Sequence, residues 1–207
     1  MPLCPVLTTE RLILRPFTAN DIDAIFTLYS DEETNTFLPW FPIKTRQEAE
    51  DLFARRYAAP PPDGGYRYAV CLRTDDIPIG YVHLSESDSR DLGYGLRSDC
   101  WGRGIAAEAA AAVICQAQKD GIPFVTATHD VRNPASGRVM QKLGLRYCYS
   151  YVEQWQPKNV PVTFRMYQLN FALPSDWTYS GYWKQHPRHF LEPVDGFFEN
   201  GTGVPDQ

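Results

Sequence analysis

The fold is decided by one stretch of sequence, Cys100-Trp101-Gly102-Arg103-Gly104-Ile105-Ala106. A strand-like segment precedes it, and an alanine-rich segment running on to Lys119 predicts a helix that is covered by a sheet. Glycines let the backbone come close to an anion, and the first N–H groups of a helix, together with its dipole, favour a phosphate. An isolated Gly-x-Gly more often marks an ordinary strand-to-helix turn. We expect a pyrophosphate-binding turn here because both flanking elements are present.

Two common nucleotide motifs do not fit this turn. A Walker loop needs Gly-Lys followed by Ser or Thr at the helix start, and the sequence contains no such run. A dinucleotide fingerprint needs three glycines in a parallel βαβ unit near the beginning of the fold, whereas two glycines occur here after the fourth predicted strand. We therefore expect neither a nucleoside triphosphate nor a nicotinamide dinucleotide.

Outward from the turn, hydrophobic periodicity and capping residues predict seven strands and four helices. Their order is β, α, α, β, β, β, α, β, α, β, β, which indicates a mixed sheet with helices on its faces. The predicted strands are Leu12 to Leu14, Tyr66 to Leu72, Ile79 to Leu84, Asp91 to Arg97, Phe124 to His129, Arg146 to Trp155 and Val162 to Asn170. The predicted helices are Ile22 to Tyr29, Thr45 to Ala58, Gly102 to Lys119 and Pro134 to Leu143.

Composition narrows the class of protein. The chain has 207 residues, 43% of them hydrophobic, and a formal charge of −5, which suits one globular domain or one domain with an appendage. Its longest apolar run is about half of the roughly 20 residues that a membrane span needs, so we expect no membrane partner. Mild acidity disfavours general nucleic-acid binding, which requires clustered positive charge.

Cysteine spacing and the first residues indicate the compartment. The five cysteines are scattered and never spaced as Cys-x-x-Cys, which argues against a disulfide framework or a zinc ribbon. His186-x-x-His189 has too few companions for a metal site. The first ten residues lack the basic start and the apolar stretch of a secretory signal. We expect reduced thiols, no metal and a cytoplasmic location.

Four separated blocks follow one another in an order that resembles the GNAT acyltransferase superfamily. They are the strand with its Trp-Gly-Arg-Gly-Ile-Ala turn, the long helix, Asn133-Pro134-Ala135-Ser136, and Lys142-Leu143-Gly144-Leu145. The segment from Thr9 to Phe17 is similar to the ribosomal-protein N-acetyltransferase-like branch of that superfamily. The resemblance covers roughly residues 8–170. It implies an α+β fold layered α/β/α, with a mixed, mostly antiparallel sheet whose central strand pair is splayed.

The resemblance divides the chain into an acetyltransferase domain, residues 1–170, and an aromatic-rich C-terminal extension, residues 171–207. The extension contains eight aromatic residues without helical period, so we expect neither a helix nor a repeat there. Three roles stay open for it: clamping over an acceptor cleft, packing on a partner subunit in a homodimer, or wrapping its own core.

The resemblance also implies acetyl-CoA as the donor and places it along the chain. The pyrophosphate would lie on the amides of Gly102, Arg103, Gly104, Ile105 and Ala106, and the pantetheine arm would pair with the strand near Tyr94 and Leu96. That pairing would explain the glycines inside this strand, Gly93 and Gly95. Asn133 and Ser136 would contact the CoA arm. A basic cluster is expected near the two loops that should meet the cofactor, formed by Arg97, Arg103, Arg132, Arg138 and Lys142, with Arg103 and Arg138 as the phosphate neighbours. Trp101 departs from the family pattern, which has Gln or Arg at this position.

Direct transfer to an amine requires a group that removes a proton and a group that protonates the departing thiolate. We rank Asp91 first as the base, since it stands near the acidic position of the family, with Glu153 and His83 as alternatives. Many relatives carry a Tyr on the fourth helix as the acid, but this stretch reads Val139, Met140 and Gln141. Ser136 is therefore the expected acid.

The sequence thus predicts an N-acetyltransferase that moves an acetyl group from acetyl-CoA to a primary amine in a ternary complex. The acceptor stays open between a protein N-terminal α-amine and a small amine. The alternative is a CoA-binding sensor or interaction module that has the same fold and no turnover.

Overall fold

Nine strands in two sheets form the centre of the computed structural model, which describes residues 4–62 and 64–193. The first sheet has the order β1-β2-β3-β4-β5 and the second β6-β8-β7-β9, and all these neighbours pair antiparallel. The strands of the first sheet are β1 Leu7–Thr8, β2 Leu12–Arg15, β3 Tyr66–Leu72, β4 Pro78–Leu84 and β5 Leu92–Leu96. Those of the second are β6 Phe124–Asp130, β7 Arg146–Trp155, β8 Val160–Asn170 and β9 His189–Phe190.

Five α-helices cover the sheets. They are α1 Ile22–Ser30, α2 Arg46–Arg56, α3 Ile105–Lys119, α4 Pro134–Lys142 and α5 Gly181–Gln185. Apolar residues of α3, with Met140 of α4, join the main core between the helices and one face of the sheets. We call this the inner face. Helices α1 and α2 pack on the opposite, outer face of the first sheet around Tyr29 and Tyr81. The predicted layering of helix, sheet and helix is confirmed.

The two sheets meet at one point in the described chain. There, Asp91 and Thr126 form an isolated parallel bridge between the start of β5 and β6. The Thr126 N–H donates to the Arg90 carbonyl at 3.1 Å, and its hydroxyl donates to the Ser89 carbonyl at 2.7 Å. Beyond this bridge β5 and β6 belong to separate sheets. The predicted splayed pair is therefore present, and parallel pairing is confined to its closed end.

The glycines of the turn correct the predicted start of the long helix. Gly102 and Gly104 have φ values of +72° and +75°, in the left-handed region that residues with a Cβ rarely adopt. Helix α3 consequently begins at Ile105 instead of Gly102. It has 15 residues, and within residues 4–62 and 64–193 no helix has both the length and the apolarity to cross a bilayer.

The C-terminal extension contains regular structure, so the expectation of no helix there was wrong. Tyr182 and Trp183 of α5 pack on the outer face of the second sheet, and β9 pairs with the edge of β7. Local periodicity could not reveal a helix of five residues, whose stability comes from the ring of Tyr151 beneath it. The described part of the extension wraps its own core, and residues 194–207 lie outside the described chain.

A carboxylate fastens the extension after β9. Glu192 accepts hydrogen bonds from Arg165 Nη2 and from Ser150 Oγ, both at 2.5 Å, and its backbone N–H donates to the Tyr147 hydroxyl at 3.0 Å. Burial acts to raise the pKa of Glu192, but the bonds from Arg165 and Ser150 outweigh it and hold the pKa below its usual value.

We predict that Glu192→Gln lowers the free energy of unfolding at pH 7 by about 1.5–3 kcal/mol, the range of hydrogen bonds to charged groups. Since the folded pKa is depressed, the wild-type contribution is present above about pH 4.3 and is lost as the pH falls further. Urea denaturation between pH 3 and pH 7 measures both effects. Glu50→Gln, which breaks an exposed pair with Arg46, is the control and should cost less than about 0.5 kcal/mol. Equal losses for the two variants would contradict the prediction.

Candidate active site

A cavity of about 450 Å³ opens beyond the splay, between the end of β5 and the N-termini of α3 and α4. The segment between α1 and α2 closes it on one side through Phe37 and Leu38. Its lining includes the expected donor-site residues Tyr94, Leu96, Gly102, Gly104, Ile105, Ala106, Asn133, Ser136 and Arg138. Arg103 is not among the lining residues. The sequence-predicted residues therefore gather at one cavity, with Arg103 at its margin.

The glycine turn presents backbone donors to this cavity. The Glu108 N–H donates to the Gly104 carbonyl at 3.1 Å, which is the first hydrogen bond of the helix. By helix geometry the three preceding amides, of Ile105, Ala106 and Ala107, have no acceptor within the helix. All three residues line the cavity. The helix dipole adds positive potential at this end, so the turn can bind an anion.

The cations around the turn include two that the sequence analysis named, Arg138 and Lys142, and one that it missed, Arg11. Arg138 and Lys142 of α4 line the cavity, and Lys142 Nζ lies 3.9 Å from the point that a Cβ on Gly104 would occupy. Arg11 Nη2 lies 3.8 Å from the same point, and Arg11 Nη1 donates to the Arg103 carbonyl at 3.0 Å. Sequence reasoning missed Arg11 because it comes from the opposite end of the chain. The only feature of the sequence that pointed to Arg11 was its position in the segment from Thr9 to Phe17, which carries part of the family resemblance.

Two other arginines of the expected basic cluster have carboxylate partners. Arg97 bonds Asp99 at 2.6 Å, and Arg132 bonds Asp130 at 2.6 Å. A phosphate would have to compete with these carboxylates. Arg11 is engaged in the same way, because it bonds Glu108 at 2.6 Å. Arg138 and Lys142 are consequently the better phosphate neighbours.

The free edge of β5 faces the splay through its even-numbered residues. The backbone groups of odd-numbered residues point toward β4: the Asp91 carbonyl accepts from the Ser85 N–H, and the Arg97 N–H donates to the Ile79 carbonyl. The backbone groups of even-numbered residues point the other way, as the Arg90 carbonyl does when it accepts from the Thr126 N–H of β6. The alternation of a strand therefore turns the N–H and C=O groups of Tyr94 and Leu96 toward the gap. These are the backbone groups that the sequence analysis assigned to the pantetheine arm.

Trp101 forms a hydrogen bond with one of these backbone groups. Its indole N–H donates to the Leu96 carbonyl at 2.8 Å, and the Thr34 hydroxyl donates to the same oxygen at 3.3 Å. The indole is 45% exposed and lines the cavity. The departure from the family pattern at Trp101 therefore places a donor where a ligand amide would bind.

The interior glycines of β5 have a different reason from the expected one. A Cβ on Gly93 would meet the imidazole of His83 at 2.2 Å, and one on Gly95 would meet the ring of Tyr81 at 2.7 Å. Both rings belong to β4 and stack 5.9 Å apart on the outer face. The glycines make room for these rings, whereas the open edge of β5 faces the gap in the plane of the sheet.

Two hydroxyl groups meet in the cavity beside α4. The Tyr94 hydroxyl donates to the Ser136 carbonyl at 2.9 Å and lies 3.1 Å from Ser136 Oγ. Asn133 caps α4 by accepting the Ser136 N–H at 3.3 Å. Burial raises the pKa of Tyr94 well above its usual value, with the Ser136 bond opposing, so this hydroxyl stays protonated. Ser136, the expected acid, thus has a second hydroxyl group beside it, that of Tyr94. The sequence analysis assigned only the backbone of Tyr94 to the site.

The three candidate bases do not line the cavity. Asp91 lies at the closed end of the splay, where burial raises its pKa to about 6 and the facing Tyr182 hydroxyl opposes the rise. Burial likewise raises the pKa of Glu153, opposed by His186 of the extension. His83 packs over Gly93. Asp91 shares the outer face with Gly93 and Gly95 because they alternate along one strand.

The described residues form no metal centre. Across residues 4–62 and 64–193, no group of three or more His, Cys, Asp and Glu side chains is arranged to hold a metal ion. The described cysteines are free thiols.

Comparisons with known proteins identify the family. A family model described as an acetyltransferase (GNAT) domain matches residues 11–146, well over half of the chain. Among curated proteins, the chain is similar to the uncharacterized N-acetyltransferase YoaA of Bacillus subtilis (strain 168). The two are 27% identical over 147 residues, which are 69% of this chain and 83% of YoaA.

Solved structures share the fold. An acetyltransferase (GNAT family) from Bacillus anthracis superposes with a TM-score of 0.70 at 21% identity, covering 80% of this chain and 98% of that one. Spermidine N-acetyltransferase from Vibrio cholerae, solved with CoA and spermine, gives 0.65 at 16% identity, covering 78% and 96%. The ribosomal L7/L12 alpha-N-protein acetyltransferase RimL, solved with coenzyme A, gives 0.63 at 16% identity, covering 81% and 99%.

At these identities the structural likeness shows the fold, while the family model covers the glycine turn, α3 and α4 together. The chain belongs to the GNAT acetyltransferase family and is an N-acetyltransferase that uses acetyl-CoA.

Proposed function

We propose that this protein binds acetyl-CoA in the cavity beside β5 and transfers its acetyl group to a primary amine that approaches from the outer face. One observation carries the proposal: an anion-binding turn, an open strand edge and a pair of hydroxyl groups line the same cavity. Pyrophosphate, pantetheine and thioester are the parts of acetyl-CoA that these three features are suited to bind.

Each part of the donor has partners in this arrangement. The pyrophosphate lies on the amides of the turn from Gly102 to Ala106, where Arg103 contributes its amide and Arg138 and Lys142 add charge. The pantetheine amides pair with the backbone of Tyr94 and Leu96. Asn133 fixes the first turn of α4 and with it Ser136.

Transfer is a direct attack. The amine nitrogen forms a bond to the acetyl carbon, the carbon–sulfur bond breaks, and the CoA thiolate leaves. The hydroxyls of Ser136 and Tyr94 stabilise the thiolate by hydrogen bonding. Ser136 passes its proton to the thiolate and regains one from solvent water, and the proton lost by the amine leaves to solvent through the base, so that CoA departs as the thiol. A neutral hydroxyl pair is suited to a charge that appears only as the bond breaks.

Asp91 is proposed as the base that receives the proton lost by the amine. With a pKa near 6 it is ionised at neutral pH, yet basic enough to accept a proton in the transition state. Asp91 precedes Tyr94 by three residues, about 10 Å along the strand, so the proton travels through water. Glu153 lies on the same outer face, on β7, and is the second candidate.

The acceptor is proposed only as a primary amine. RimL is named for a protein N-terminal α-amine and the Vibrio cholerae enzyme for spermidine, so the shared fold accommodates both types. The similarity of Thr9 to Phe17 to the ribosomal-protein branch favours a protein α-amine. Incubation with isotope-labelled acetyl-CoA and a panel of peptides and small amines tests this, with label expected in an amide product.

A CoA-binding sensor is the second candidate. Two observations favour it: the Trp101 indole N–H donates to the Leu96 carbonyl, and the three candidate bases lie outside the cavity lining. Tight CoA binding with no label in any acceptor, and unchanged thioester hydrolysis after Asp91→Ala and Ser136→Ala, would support this candidate and contradict transfer.

We predict that Ser136→Ala and Tyr94→Phe each lower kcat by about 100-fold, the lower end of the range for proton-donating groups. KM for acetyl-CoA should change little, because the hydroxyl bonds strengthen only as the thiolate forms. The double variant should be no slower than the slower single variant, since the two hydroxyls act as a unit. Steady-state kinetics measures all three. Tyr147→Phe removes a similar tyrosine–serine contact, to Ser150, away from the cavity and is the control. A rise in KM at constant kcat would contradict the assigned role.

We predict that Trp101→Phe tightens the binding of acetyl-CoA by about 2- to 10-fold. The indole bond to Leu96 must break before a ligand amide can bind there, and a net hydrogen bond amounts to about 0.5–1.5 kcal/mol. Titration calorimetry measures the dissociation constant. Trp177→Phe changes another exposed tryptophan, in the extension, and should leave it unchanged. Weaker binding by the Trp101 variant would show that the indole supports the ligand.

A further inference from the structure

Gly137 lies inside helix α4, directly after Ser136. Glycine in the middle of a helix is less favourable than alanine, because it loses more backbone freedom on folding. A Cβ on Gly137 would lie 2.7 Å from His129 Nε2 and 3.0 Å from His129 Cε1, which is closer than real Cβ atoms pack. Gly137 therefore makes room for the imidazole of His129, which lies under the first turn of α4.

The imidazole of His129 is held in place from the sheet side. Its Nδ1 lies 2.8 Å from the Asp130 carbonyl oxygen, and because a carbonyl can only accept, Nδ1 donates this hydrogen bond. The ring also packs against that of Tyr167 on β8, with centroids 5.6 Å apart. Only 4% of His129 is exposed. The ring consequently has no free space in which to move away from Gly137.

The second ring nitrogen of His129 carries a lone pair. Neutral imidazole has one N–H, which the bond to Asp130 places on Nδ1. Nε2 is buried and has no hydrogen-bond partner among the described residues. Burial lowers the pKa of His129, with Arg165 of β8 acting in the same direction and the Asp130 backbone opposing, so the ring is neutral at pH 7. A phenyl ring would fill this space without an unpartnered acceptor, so packing alone does not account for a histidine here.

The hydrogen bond from Nδ1 connects His129 to the site. The Asp130 carbonyl that accepts it also accepts the Asn133 N–H at 2.7 Å. Asn133 Oδ1 in turn accepts the Ser136 N–H at 3.3 Å, and Ser136 Oγ lies 3.1 Å from the Tyr94 hydroxyl. A continuous series of hydrogen bonds thus runs from the imidazole to the pair of hydroxyl groups. The ring fixes the first turn of α4 by these bonds as well as by its volume.

We infer that His129 is a positioning residue for Ser136: its ring, bonded to the Asp130 carbonyl and packed under Gly137, sets the place of the Ser136 hydroxyl beside Tyr94. The inference rests on the proposed function, in which Ser136 passes its proton to the thiolate. His129 does not line the cavity and acts through α4. Such placement matters because a shift of about 1 Å in a reacting group can cost on the order of 100-fold in rate.

Gly137→Ala tests this contact because it adds one methyl group against His129 Nε2. The first turn of α4 then moves away from β6, and the Ser136 hydroxyl moves with it. We expect kcat to fall by about 10- to 100-fold. The dissociation constant of acetyl-CoA, measured by titration calorimetry, should change by less than about 3-fold, because the amides that bind the pyrophosphate belong to the turn before α3 and to its first residues.

A compensating variant separates positioning from a general loss of packing. His129→Asn keeps an N–H donor near the position of Nδ1 and removes the ring edge that faces Gly137. Alone it leaves a gap under α4, and we expect kcat to fall by about 5- to 10-fold. In the double variant the alanine methyl fills that gap, so kcat should be higher than that of Gly137→Ala alone and within about 5-fold of wild type.

The Ser136→Ala background shows whether the effect passes through Ser136. With the hydroxyl absent there is nothing left to position, so adding Gly137→Ala should slow kcat by less than about 2-fold. Gly181→Ala is the matched control, since a Cβ on Gly181 in α5 would also meet a ring, that of Tyr179, away from the cavity. It should keep the wild-type kcat whatever stability it loses. Thermal unfolding establishes which variants are folded at the assay temperature, and His129→Asn decides alone if Gly137→Ala is not.

Each outcome bears on one statement. Wild-type kcat in Gly137→Ala or in His129→Asn would overturn the inference and leave the proposed function intact. The same holds if Gly137→Ala slows Ser136→Ala as much as it slows wild type. If Ser136→Ala itself keeps the wild-type kcat, Ser136 is not the acid and the inference fails with that assignment. If the wild type transfers acetyl to no amine, the proposed function fails and the inference with it.

Discussion

The parallel bridge between Asp91 and Thr126 is the contact on which the site depends. It holds the two sheets together at one end, and beyond it each sheet keeps its own antiparallel ladder. Ile105 and the alanines of α3 fill the core where the strands part. Were β5 and β6 paired along their whole length, the groups of Tyr94 and Leu96 would be bonded in a ladder. No ligand could then reach them, and the cavity would be closed.

The parts of the site that sequence reasoning could predict are local. Gly102 and Gly104 act through their own φ angles, and Asn133 through the amide three residues later, so short stretches of sequence contain all the information required. The order of the seven predicted strands and four predicted helices, and the splay implied by the resemblance, were likewise correct, whereas β1, α5 and β9 were not predicted. The start of α3 was predicted three residues early because glycine turns and helix starts share composition.

The parts that sequence reasoning missed are contacts between distant segments. Arg11 meets the turn across more than ninety residues, and Tyr94 meets Ser136 across more than forty. The pantetheine explanation given for Gly93 and Gly95 was wrong for the same reason. These glycines make room for two rings of the neighbouring strand. Sequence order cannot show which side chain fills a given gap.

The hydrogen bond from Trp101 to Leu96 has a consequence for solubility. An exposed strand edge pairs readily with another chain, and natural proteins cover or block such edges. The opening of the splay creates an edge of this kind inside the molecule. The Trp101 indole and the Thr34 hydroxyl, which belong to the same polypeptide, both donate to the Leu96 carbonyl. They thus engage one acceptor through which the strand of a second copy would pair with this edge.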